Sequence, residues 1–161
     1  MRCILFLSSL AAGALVLAAA ASPAAGQTGD IPTISGRYFA SGSAKVKVSG
    51  SVQIDQEVPI NTKASFGDGE STWLQFGVSG ATDPNALLTF QPQEVGVTVG
   101  KGKFIVTAGV TKGEKPQCSG KTDVDAASVT GHYTCPGIDS YDAATGQMGK
   151  VDIEITFDAK S

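Results

Sequence analysis

From Ala44 to Asp55 the chain reads AKVKVSGSVQID, with Val46, Val48, Val52 and Ile54 on one parity and Lys45, Lys47, Ser49, Ser51, Gln53 and Asp55 on the other. Successive side chains of a strand point to opposite faces, so this run predicts a strand with one wet face. KVDIEITFDA, from Lys150, sorts as cleanly: Val151, Ile153, Ile155 and Phe157 against Asp152, Glu154, Thr156 and Asp158. Further strands are predicted over 72–79, 94–99 and 103–110, with weaker ones over 34–40 and 86–91. Gly, Pro, Asn and Asp at 67–69, 83–85 and 100–102 supply the turns. No stretch sustains a helical period beyond about one turn. Asp83 to Leu88 fits a single helical turn, with Asp83 as cap and Pro84 at the first position. The expected fold is all-β, an antiparallel β-sandwich with a small barrel as the alternative.

The segment QCSGKTDVDAASVTGHYTC, residues 117 to 135, predicts a stapled hairpin. If Cys118 opposes Cys135 across an antiparallel pair, Gly120 opposes Tyr133, Thr122 opposes Gly131 and Val124 opposes Val129. The apolar members then share one face, and Asp125-Ala126-Ala127-Ser128 forms the turn. His132 falls on the opposite parity and points outward.

The start of the chain alters this picture. Arg2, an apolar run from Cys3 to Ala21 and the small residues up to Gly26 have the three zones of a secretory signal peptide. Cleavage is expected after Ala21 or after Gly26, leaving a flexible segment over 27–33 and one β domain over 34–161. Export would place the protein in the secreted or periplasmic space, with no transmembrane segment in the mature chain. It would also remove Cys3 and leave Cys118 and Cys135 as an even pair, for which one disulfide is expected. Arg2 is one of the chain's 12 basic residues, and the leader holds none of its 15 acids. The remainder is therefore mildly acidic, with no clustered cations for phosphates, and nucleic acid is not an expected partner.

Candidate chemistry is sparse. His132 is the single histidine, so any triad or histidine-based zinc site needs it. Zinc on Cys118, Cys135 and His132 lacks a fourth ligand and requires reduced thiols; no acid or nucleophile beside His132 marks a triad. Asp68 with Glu70, and Asp139 with Asp142, are acidic loops of the kind that holds calcium, but neither has the spaced EF-hand pattern, and Asp and Gly are ordinary turn residues. Asp152 and Glu154 share one strand face, as outward acids do, which gives little support to a pair for sugar cleavage. No catalytic residue, metal or cofactor is assigned.

Trp73 is the exception to the pattern. Leu74, Phe76 and Val78 take the inward parity in TWLQFGV, which leaves Trp73 on the polar face beside Gln75. An outward Trp is an aromatic platform for a sugar ring or a partner. Ile105 is out of phase in the same way between Lys103 and Thr107, and the two would matter most if they joined in one patch. The expected function is non-catalytic binding of a glycan, a lipid or an envelope protein through Trp73, Gln75 and Ile105. The alternatives are a structural envelope protein and, less favoured, a hydrolase.

Overall fold

The computed structural model describes residues 37–68 and 70–161. The leader expected over 1–26 and the segment expected over 27–33 lie outside the described residues. Among the described residues ten strands form a single antiparallel sheet. They are β1 (Ser41–Gly50), β2 (Ile54–Pro59), β3 (Phe66–Asp68), β4 (Ser71–Phe76), β5 (Pro84–Gln91), β6 (Glu94–Lys101), β7 (Phe104–Thr111), β8 (Ser119–Val124), β9 (Ser128–Asp142) and β10 (Gln147–Lys160). The order across the sheet is β2-β1-β10-β9-β7-β6-β5-β4-β3, with β8 on the side of β9.

The sheet is curled. Ile60, just past β2, bridges Phe76 of β4. The Gly77 N–H donates to the Pro59 carbonyl at 2.9 Å and the Asn61 N–H to the Gln75 carbonyl at 2.7 Å. The curl gathers the inward parities into one core, where Val46, Val48, Leu74, Phe76, Leu88, Phe90, Val97, Val99, Tyr133, Ile153 and Ile155 are almost fully buried. Both faces of the prediction for the last strand hold: Val151, Ile153, Ile155 and Phe157 are buried, and Asp152, Glu154 and Thr156 are exposed.

The hairpin register agrees with the sequence reading at every pair: Gly120 faces Tyr133, Thr122 faces Gly131 and Val124 faces Val129, and Cys118 is bonded to Cys135. A Cβ on Gly120 would lie 2.6 Å from Tyr133 Cδ1, so the missing side chain makes room for the phenol ring. The phenol oxygen lies 2.8 Å from Thr122 Oγ1, and burial raises the Tyr133 pKa above its ordinary value while that hydrogen bond lowers it. At the turn, one Asp125 carboxylate oxygen accepts from the Ala127 and Ser128 N–H groups, both at 2.7 Å. These bonds favour the ionised form and hold the Asp125 pKa below the usual carboxylate range.

Four expectations are corrected. The run from Ala44 to Asp55 is a hairpin rather than one strand: β1 ends at Gly50, whose φ of 113° suits glycine, and Val48 pairs with Ile54 across the turn. The helical turn at Asp83 to Leu88 is absent; Pro84 and Asn85 begin β5. β4 ends at Phe76, and the parity breaks at the following Gly77, with φ of 70°, leaving Val78 exposed rather than inward. Asp139 to Asp142 lies within β9, not in a loop. Pro136 and Gly137 hide that continuity, since the register shifts where Val151 pairs with Ile138 but Ile153 pairs with Cys135. Cys135 and Ile138 thus both face inward although three residues apart, the mark of a β-bulge.

Candidate binding face

Trp73 projects from the outer face of β4. Its chain neighbours Thr72 and Leu74 are fully buried on the inner face, and Trp73 itself is half-buried. What covers one side of the indole is β3: Phe66 pairs with Trp73, with ring centroids 5.1 Å apart and the planes tilted by 36°. Beyond Phe66, Tyr38 forms the next antiparallel bridge and is 77% exposed. Residues directly opposite across antiparallel strands point to the same face. Tyr38, Phe66 and Trp73 therefore form one cross-strand aromatic row on the outside of the sheet. In the other direction the row continues through Thr89 of β5, Gly96 of β6 and Gly109 of β7.

Gln75 has the outward parity but is not available as a ligand contact, because it is only 8% exposed. The segment from Asn61 to Ser65 folds over it: the Ser65 hydroxyl donates to the Gln75 carbonyl at 3.1 Å and accepts from the Gln75 N–H at 2.9 Å. The Gln75 side-chain amide donates to the Ala86 and Phe76 carbonyls, at 3.1 and 3.2 Å. It ties β4 to β5.

Ile105 is 60% exposed and pairs with Tyr141 of β9, which pairs in turn with Met148 of β10; all three are exposed. This second apolar row does not join the first. On β7 the two rows are marked by Ile105 and Gly109, four residues or about 13 Å apart along the strand. Thr107 lies between them, its hydroxyl 3.0 Å from that of Thr98.

The remaining candidates have structural partners. His132 Nδ1 lies 2.9 Å from Thr156 Oγ1 and Nε2 lies 3.2 Å from Thr134 Oγ1. Asp152 accepts the Gly137 N–H at 2.7 Å, which pins the bulge, and Glu154 lies 3.8 Å from Lys47. Asp139 is paired with Lys150 at 2.6 Å. Asp142 accepts from the Ala144 N–H at 2.8 Å and the Thr145 hydroxyl at 3.0 Å, bonds that lower its pKa. Of the other acidic loop, Asp68 to Glu70, Gly69 and the Asp68 side chain lie outside the described residues. Among the described residues no group of three His, Cys, Asp or Glu is placed to hold a metal, and no helix is long and apolar enough to cross a membrane.

Replacing His132 by Ala exchanges two hydroxyl contacts on a half-exposed face for water. The expected change in stability is within about 0.5 kcal/mol, with ligand binding unaltered; a binding titration of the variant that shows a large loss would make His132 part of a site.

The sequence reading finds Trp73 but misses Tyr38 and Phe66. Alternation within a segment says which face a residue takes, whereas the meeting of these three depends on pairing between segments far apart in the chain. The chain matches no family model, and comparison with curated proteins and with solved structures likewise finds no match.

Proposed function

We propose that the protein is an exported, non-catalytic binding protein whose ligand-contacting surface is the outer face of the sheet around Trp73. The observation that carries this reading is the aromatic row. Three aromatic residues follow one another in a single pairing row on the outside, Phe66 and Trp73 in ring contact, while the core beneath them is completed by Thr72, Leu74 and Phe76. Core packing does not require three aromatics there, and aromatic side chains give large contact area for little entropy lost. The disulfide between Cys118 and Cys135 is compatible with an oxidising extracellular or periplasmic location. The ligand classes in view are a glycan, a lipid or an envelope protein.

The test pairs binding with folding. Trp73→Ala removes a half-buried ring, so its stability cost is expected at about 1 to 2 kcal/mol, below that of a buried aromatic. Screens against glycans, lipid vesicles and envelope extracts should give saturable binding to the parent and loss of that binding in the variant, with circular dichroism unchanged. Equal binding by both proteins would remove this face from the function.

A further inference from the structure

We propose that the strip running from Tyr38 to Gly109 takes an uncharged, linear polysaccharide laid across the strands; this rests on the reading of the outer face as the binding surface. The strip has two halves of different character. At one end stand the rings of Tyr38, Phe66 and Trp73; at the other lie Thr89, Gly96 and Gly109 in the same row. The two glycines present bare backbone. A Cβ on Gly96 would collide with the Thr89 hydroxyl, and one on Gly109 would lie 2.9 Å from the Val95 carbonyl oxygen. These close approaches keep the far half flat and low. From Tyr38 to Gly109 the row crosses five strand intervals, about 24 Å at the usual spacing.

Such a surface fits a long flat ligand better than a compact one. A pyranose ring has an apolar C–H face that stacks on an aromatic side chain and an edge lined with hydroxyls. Past Trp73, hydrogen-bonding groups line the track: Thr89 in the row, Thr98 and Thr107 on the adjacent row, and Gln117 at its end, where its side-chain oxygen accepts the Gly109 N–H at 3.2 Å. Charge decides between polymers. No residue of the strip carries a charge, nor does any of Leu87, Thr98 and Thr107 on one side of it; on the other side the Glu94 carboxylate lies 3.9 Å from where a Gly109 Cβ would stand, so an anionic glycan or an anionic membrane would meet an anion there and no matching cation. A lipid surface would also require apolar side chains along the whole length, and half of this strip has none.

The probes are linear neutral glucan oligosaccharides of increasing length, a linear anionic polysaccharide, and vesicles with and without anionic lipid, all titrated against the exported protein. Affinity for the neutral series should rise with length until the chain spans the strip. Trp73→Ala should weaken it by roughly tenfold or more. Thr107→Arg places a long cation beside the glycines from an exposed position, and should abolish the gain for long oligosaccharides while sparing the shortest that binds. Preference for the anionic polymer or the vesicles, with dependence on Trp73, would overturn the polysaccharide assignment and leave the binding face standing. Neutral-glucan affinity independent of length would overturn the lengthwise track. Indifference of every probe and extract to Trp73 would overturn both.

Discussion

Replacing Phe157 by Ala is expected to destabilise the protein by about 3 to 5 kcal/mol. Phe157 stands in the second half of β10, 3% exposed, and its ring has three aromatic neighbours: Phe90 at 6.1 Å, Phe76 at 6.3 Å and Tyr133 at 6.4 Å, the last nearly parallel at 3°. Its cross-strand partners are Ala44 on β1 and Gly131 on β9. The ring leans over Gly131, where a Cβ would come within 2.5 Å of Phe157 Cζ. A large residue between two small ones leaves a hole that its partners cannot fill, so the lost transfer energy is joined by a cavity cost. Against a total stability of about 5 to 15 kcal/mol, the loss is a large fraction. Urea unfolding monitored by Trp73 fluorescence measures it, and Phe157→Leu should recover more than half. A loss below about 1 kcal/mol would mean that the three rings relax into the space.

The sequence reading succeeds where pairing is local and fails where the ladder is interrupted. β10 is legible because its alternation runs without a break, and the β8–β9 hairpin because the two cysteines supply the register that alternation alone leaves open. At Gly50, alternation resumes in phase beyond the turn, and two strands look like one. At Pro136 and Gly137 the opposite happens: the bulge resets the parity, and one strand looks like a strand followed by an acidic loop. β3 is only three residues long and contains Gly67, so nothing marks it as a strand before its partner is known.

The candidate site divides along the same line. The outward placement of Trp73 and Ile105 follows from a parity violation, a signal carried by a few adjacent residues. The burial of Gln75 does not, because its partners Asn61, Ser65 and Ala86 lie ten or more positions away. The row of Tyr38, Phe66 and Trp73 is a property of the curl, which brings the segment before β1 against β3. An aromatic platform built across strands is therefore invisible to any reading that treats each strand separately.

Removing the disulfide should unlatch β8 before it unfolds the rest. β8 lies outside the main path of the sheet and among the described residues pairs with β9 alone, and Thr122 is the one buried residue among its six. A lone two-stranded ribbon of this kind is marginal in water. Cys118 and Cys135, 17 positions apart and both buried, close the ribbon at its open end, while Asp125 orders the turn at the other. In the chain-entropy account a loop of this length contributes about 3 kcal/mol. The double variant Cys118→Ala, Cys135→Ala should accordingly melt about 10 °C lower. Hydrogen exchange gives the sharper readout: amides of residues 119–124 should lose protection first, while those pairing β9 with β10 keep theirs. Reduction of the parent exported to an oxidising compartment should add two hydrogens to its mass. Free thiols in that material would deny the bond a role, and full protection of β8 in the double variant would mean that its ladder to β9 is sufficient by itself.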